Sequence, residues 1–228
     1  MKKRCHFFLA FLVLFPLLAT GQTSNERVFY SSFRPEGWDL FLVDQQAETA
    51  SRWVENEALE YNPTWSADGE WVIFTSERFG FPKLFIRPAT GGEARLLLTH
   101  EASMQDQATL SPDGQWIVFT STHEGQSDIY RLPFQPLDTL AVDDALNFTN
   151  DPGGDFRPAF SPDGQSIAFC SDRGHPIKTH PRFIFAMRRT GDIYTMNMEG
   201  GDLQRLTDAT EWEGSPAYSK DGQQIYYY

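Results

Sequence analysis

Four triplets in this chain carry side chains that could do chemistry at a repeated position: Glu60-Tyr61-Asn62, Gln105-Asp106-Gln107, Asp155-Phe156-Arg157 and Glu213-Gly214-Ser215. A second repeated set, Arg34, Arg78, His123 and Arg173, supplies cations at matching positions. Carboxylates, guanidiniums and aromatics gathered in this way suit recognition of a peptide or a cation through charge-assisted hydrogen bonds. The alternative is that the arginines pair with neighbouring carboxylates between structural units. Catalysis is not indicated. The chain has no Gly-x-Ser-x-Gly elbow, no His-Glu-x-x-His, no paired Cys-x-x-Cys and no phosphate loop. His100, His123, His175 and His180 fall in connections without a ligand spacing, so neither a metal nor another cofactor is expected. Asn147-Phe148-Thr149 is formally a glycosylation sequon, but it falls where a strand is expected.

A third group lies in the stretch Gly174 to Thr190. In an acidic chain it gathers Lys178, Arg182, Arg188 and Arg189 with Phe183, Ile184, Phe185 and Met187. A basic segment with an apolar run could dock an acidic partner or cover a channel. Equally, Phe183 to Met187 could extend a strand and leave the arginines solvated.

The elements that must position these residues are written by repetition. Ser66-Ala67-Asp68-Gly69, Ser111-Pro112-Asp113-Gly114, Ser161-Pro162-Asp163-Gly164 and Ser219-Lys220-Asp221-Gly222 are tight-turn sequences. Proline suits the first corner, aspartate the second, and glycine the left-handed residue that closes the turn. Before each turn stands Trp65, Leu110, Phe160 or Tyr218; five residues past each glycine stands Phe74, Phe119, Phe169 or Tyr227. Alternating apolar residues on both sides predict a β-hairpin at each turn. Segments beginning Asp39, Lys83, Asp128 and Asp192 predict a third strand, and Leu98-Thr99, Phe148-Thr149 and Leu206-Thr207 close a fourth. The turn aspartates are 45, 50 and 58 residues apart, the excess lying in insertions near Pro133–Asp144 and Gly174–Thr190. Without them the period approaches the ~40–45 residues of a four-stranded propeller blade. The second strand of each unit, such as Trp71-Val72-Ile73-Phe74, is apolar on both faces, as a sheet packed between two others requires.

Composition sets the remaining bounds. Residues 1–21 read as a signal peptide: Lys2, Lys3 and Arg4, then an apolar run from Phe7 to Ala19 too short to span a bilayer, then small residues. Removing the leader takes three of the 19 basic residues and none of the 31 acidic ones, leaving 16 against 31, or −15. A surface this acidic disfavours nucleic acid and anionic membranes, and leaves proteins, peptides and cations as partners. Cys5 and Cys170 are the only cysteines, so the exported chain has no internal disulfide. Cys170 stands where sister repeats have Thr75 and Thr120, a small residue that fits.

Strand, Ser-Pro-Asp-Gly turn, strand, a Ser-Asp-Arg-like end, an Asp-Ile-Tyr strand and a closing Leu-Thr together resemble the repeats of the TolB-type, WD40-like (PD40) β-propellers. The resemblance covers residues 22–228 and implies an all-β propeller of four-stranded antiparallel blades, about four and a half of them present and six expected when complete. It implies that the connections carrying the two repeated polar sets share one face and frame an axial channel. It also implies an exported, periplasmic or secreted, non-enzymatic scaffold binding a protein, peptide or glycan. The other function it admits is the substrate-gating propeller of a prolyl-oligopeptidase-like serine peptidase. TolB itself has an α/β domain before its propeller, whereas here the first blade follows the leader directly. Gln223 to Tyr228 read as the second strand of a fifth blade, so the sequence is expected to be the N-terminal part of a longer ring.

Overall fold

The structure, a computed structural model, describes residues 27–34, 37–44, 49–54, 56–99, 103–174, 178–179, 186–187, 191–208, 210 and 212–228. The expected leader lies outside these residues. Blade 1 is an antiparallel sheet of β1 (Arg27–Arg34), β2 (Gly37–Asp44) and β3 (Thr49–Arg52). Blade 2 has β4 (Glu60–Trp65), β5 (Trp71–Ser76), β6 (Lys83–Pro88) and β7 (Arg95–Leu96), after which β8 (Leu98–Thr99) leaves the sheet. Blade 3 has β9 (Gln105–Leu110), β10 (Trp116–Ser121) and β11 (Asp128–Pro133), then β12 (Leu140–Ala141) outside the sheet, and β13 (Leu146–Asn147) as its fourth strand. Blade 4 begins with β14 (Asp155–Phe160) and β15 (Ser166–Ser171), and a separate hairpin of β16 (Lys178–Thr179) and β17 (Ala186–Met187) follows. It is completed by β18 (Asp192–Asn197) and β19 (Gln204–Arg205), and β20 (Ala217–Tyr218) with β21 (Ile225–Tyr226) opens blade 5.

Each turn satisfies its own polar groups, which is why the same four residue types recur. In blade 4 the Gly164 N–H donates to the Ser161 carbonyl at 2.9 Å, and the Ser161 hydroxyl donates to Asp163 Oδ1 at 2.6 Å. The same carboxylate accepts from the Gln165 N–H at 3.0 Å, and Ser161 Oγ accepts from the Ser166 N–H at 3.0 Å. Serine and backbone donors hold the Asp113, Asp163 and Asp221 carboxyls below the usual aspartate range. The turns also stack around the ring. A Cβ on Gly114 would stand 3.5 Å from Ala67, one on Gly164 3.4 Å from Pro112, and one on Gly222 3.5 Å from Pro162. The turn glycines of blades 3, 4 and 5 therefore rest on the second turn residue of the preceding blade.

The second strands of blades 2 and 3 each feed two cores. Val72 and Phe74 pack with Phe29, Leu40 and Trp53 of blade 1, while Ile73, between them, packs with Ile117 and Phe119 of blade 3. Val118 in turn faces Ile167 and Phe169 of blade 4. Phe74, Phe119 and Phe169 are fully buried, each contributing about 1.5–3 kcal/mol of transfer free energy. Two-sided burial is what the apolar runs predicted.

Two expectations need correction. Leu98-Thr99 does not close the fourth strand of blade 2. The residue that continues that ladder is Leu97, whose N–H donates to the Leu84 carbonyl at 2.9 Å, as Phe148 does to Ile129 (2.7 Å) and Leu206 to Ile193 (2.8 Å). Leu98-Thr99 instead pairs in parallel with Leu140-Ala141 of the first insertion, whose Val142 is buried in the core shared by blades 2 and 3. The second insertion does not simply lengthen the third strand of blade 4, because Lys178-Thr179 and Ala186-Met187 pair with each other. Arg182, Arg188, Arg189 and Phe183 to Phe185 lie outside the described residues.

Candidate binding rim

Antiparallel order puts the start of each first strand and the end of each second strand on one face. The first strands also neighbour one another around the inner side, β4 beside β9, β9 beside β14 and β14 beside β20. Both repeated polar sets therefore meet on the rim of the inner ring.

Most of these cations and carboxylates are brought together within a blade, while Arg173 Nη1 also lies 3.9 Å from Asp151 in the connection out of blade 3. Arg78 Nη2 lies 2.5 Å from Glu60 Oε1, its Nε donates to Ser76 Oγ at 2.9 Å, and its guanidinium sits 4.1 Å over the Phe85 ring. Blade 4 repeats the device, with Arg173 Nη2 donating to both Asp155 oxygens at 2.9 and 2.8 Å and Nε to Ser171 Oγ at 2.9 Å. Burial pushes the Glu60 and Asp155 carboxyls up, and the adjacent guanidiniums oppose that rise. Pairs so engaged brace the rim and have little left to offer a partner. Blade 3 departs: Gln105 and His123 stand at these positions, the imidazole Nε2 lies 3.4 Å from Asp143, and the fully buried Gln105 side-chain amide makes no hydrogen bond among the described residues. The Arg34 side chain lies outside what the structure describes. Glu213 contributes backbone: its carbonyl accepts from the Cys170 thiol at 2.8 Å, and burial pushes that thiol up to about 12.

One level inward is a ring the sequence reading had not singled out as a unit. Asn62, Gln107, Arg157 and Ser215 all adopt positive φ (51°, 55°, 53° and 51°), and the pairing of β4, β9 and β14 with their second strands slips there. Such bulges re-aim side chains. Here the re-aimed groups link blades. Asn62 Nδ2 donates to Asp106 Oδ1 at 2.9 Å, and Thr75 donates to the same oxygen at 2.6 Å. The Arg157 N–H donates to Gln107 Oε1 at 2.8 Å, and Arg157 Nη1 to Ser215 Oγ at 2.7 Å. Asp106, expected as a contact, is therefore a strut between blades 2 and 3. Proline follows three of the four residues, at Pro63, Pro158 and Pro216, and lacks the N–H a ladder would need. That was the available signal.

The exposed apolar groups on this face were also missed. Phe33, near the end of β1, is 64% exposed, and in the connections Phe79 is 58% and Met104 46% exposed. Asn147, by contrast, is committed inside its blade: its amide donates to Glu124 (2.8 Å) and Asp128 (3.0 Å), the place Arg205 takes on Asp192 in blade 4. Among the described residues no group of three His, Cys, Asp or Glu could hold a metal ion. What remains on the rim is a set of apolar groups around a polar inner ring, an arrangement suited to holding an extended chain.

Residues 23–129 match the TolB beta propeller domain family, PD40. An uncharacterized protein of Agrobacterium fabrum is 30% identical over 201 residues, covering 87% of this chain and 49% of that protein. The Tol-Pal system protein TolB of Desulfosudis oleivorans is 27% identical over 78 residues, 34% of this chain and 18% of its own. The crystal structure of TolB from Acinetobacter baumannii superposes with a TM-score of 0.70 at 22% identity, covering 88% of this chain and 46% of that one. The chain thus spans about half or less of the length of these relatives.

Proposed function

We propose, from the premise that this chain carries a TolB-type (PD40) β-propeller, that it is an exported, non-enzymatic scaffold whose rim binds a protein, peptide or glycan. The observation that supports this reading best is the division of labour on one face. Glu60–Arg78 and Asp155–Arg173 lock the blades, while Phe33, Phe79 and Met104 stand out into solvent beside them. Exposed apolar groups collected at the end of a rigid scaffold mark contact surfaces. The opposite face, by contrast, carries the self-satisfied Ser-x-Asp-Gly turns.

The test uses the full exported chain as bait for a display library of about ten-residue peptides and for a glycan array. Binders should lose at least tenfold in affinity with the double variant Phe79→Ser/Met104→Ser, and keep it with Glu70→Ala on the turn face. A chain that enriches nothing, or binders indifferent to the rim variant, would overturn the reading.

A further inference from the structure

Arg157 stands apart from the other arginines of the described blades. Arg52, Arg78, Arg173 and Arg205 each sit on a carboxylate, Arg87, Arg95 and Arg131 each donate to backbone carbonyls, and Arg27 is exposed at the start of β1. Arg157 is half-buried on the inner ring, yet among the described residues its guanidinium donates only to the neutral Ser215 hydroxyl. A guanidinium has five N–H donors in a planar fork that matches a carboxylate. Taking it partly out of water with no carboxylate within ion-pair distance among the described residues costs free energy that an anionic ligand would recover. Its backbone is held at φ 53° by the bulge and by the bond from its N–H to Gln107, so the side chain is aimed by blade 3 as well as by its own strand. At the same level Phe156 packs its ring 5.7 Å from that of Trp212, itself 40% exposed, adding apolar surface beside the cation.

We propose that Arg157 is the anchor for a carboxylate on a bound peptide, either its free C-terminus or an aspartate or glutamate side chain. The proposal rests on the rim-binding reading and narrows it. Apolar groups around one aimed cation favour a peptide over a glycan. With 31 acidic residues against 19 basic in the whole chain, the long-range field repels strongly anionic ligands. The partner segment is therefore neutral or basic overall and carries one carboxylate that the fork grips at close range, where the local donors outweigh the screened field.

Arg157→Gln tests this cleanly, because Gln107 already occupies the sister position at φ 55° in blade 3. Peptides are selected against the full chain from two display formats, one with free C-termini and one with the C-terminus fused. Each hit is then remade with its C-terminus amidated, or with its acidic residue changed to the amide. Amidation of the right carboxylate should weaken binding to the natural chain at least tenfold, but binding to Arg157→Gln less than twofold, with Arg157→Lys between them. Dependence on the free C-terminus identifies the terminal carboxylate; hits that tolerate fusion but not Asp→Asn or Glu→Gln identify the side chain. Binders that respond to Phe79→Ser/Met104→Ser but equally to amidation in both chains would remove the anchor and leave the rim reading intact. Glycan hits without peptide hits would do the same. No binders of any kind would overturn both.

Discussion

Turn glycines offer the sharpest test of how the ring is built. Gly69 and Gly164 have the same backbone, φ 71° and 70°, but different surroundings: a Cβ on Gly69 would meet nothing within 4 Å, whereas one on Gly164 would stand 3.4 Å from Pro112. Left-handed backbone costs a non-glycine residue about 1–2 kcal/mol, and a 3.4 Å contact is at the edge of ordinary packing. The conformational cost should therefore dominate. Gly69→Ala and Gly164→Ala should each lose about 1–2 kcal/mol and agree within roughly 0.5 kcal/mol, with Gly164→Val at or above the alanine value. Pro162→Ala should lose less, under about 1 kcal/mol, because it only frees the unfolded chain. Ala67 already fills that position beneath Gly114. Urea melts of the full chain, followed by tryptophan fluorescence, give all four values. If Gly69→Ala proved harmless while Gly164→Ala cost several kcal/mol, the turns would be held by contact and the conformational account would be wrong. Equal losses for Pro162→Ala and Gly164→Ala would refute the turn assignment itself.

Blade 3 predicts its own repair. Gln105→Glu alone buries a carboxylate at the position Glu60 holds in blade 2 and should lose about 3 kcal/mol or more, while adding His123→Arg should recover most of it by rebuilding the pair seen between Glu60 and Arg78; additive losses in the melts would contradict this. Acid should weaken the turns. The Asp163 carboxyl titrates below its unfolded value of about 3.9, so its stabilising effect is present above that pH and is lost as pH falls through the folded value. Asp163→Asn should accordingly show a shallower loss of stability than the natural chain as pH falls below about 4 in urea melts; identical slopes would count against it. If residues 1–21 act as a signal peptide, the protein recovered from the periplasm of a Gram-negative host should begin at Gln22, and an N-terminal sequence starting at Met1 would contradict export.

Much of the fold could be read from the chain because its causes are local. Ser161, Asp163 and Gly164 satisfy one another within six residues of sequence, and Val72-Ile73-Phe74 displays two-sided burial along a single strand. The closing strand of blade 2 was misread because Leu96-Leu97-Leu98 offers registers one residue apart, and only the ladder to Leu84 chooses among them. The parallel pairing of Leu98-Thr99 with Leu140-Ala141 has no local signal, being two residues long and far apart in sequence. At the rim, residue types were legible but partnerships were not. Glu60 faces Ser76 across the blade, two residues before Arg78, and that register makes the ion pair internal to blade 2. Arg157 was visible as a charge. Its neutral partner Ser215 belongs to the next blade, so its isolation is a property of the ring.

Hydrogen–deuterium exchange of the full chain, with and without a selected peptide, addresses the claim that one face binds. Protection should rise in residues 60–62, 77–80, 104–107 and 155–157, the first-strand starts and second-to-third-strand connections, and stay unchanged in turn residues 66–70, 111–115 and 161–165. Protection centred on the Ser-x-Asp-Gly turns, with residues 155–157 unaffected, would place the ligand on the opposite face and contradict the account.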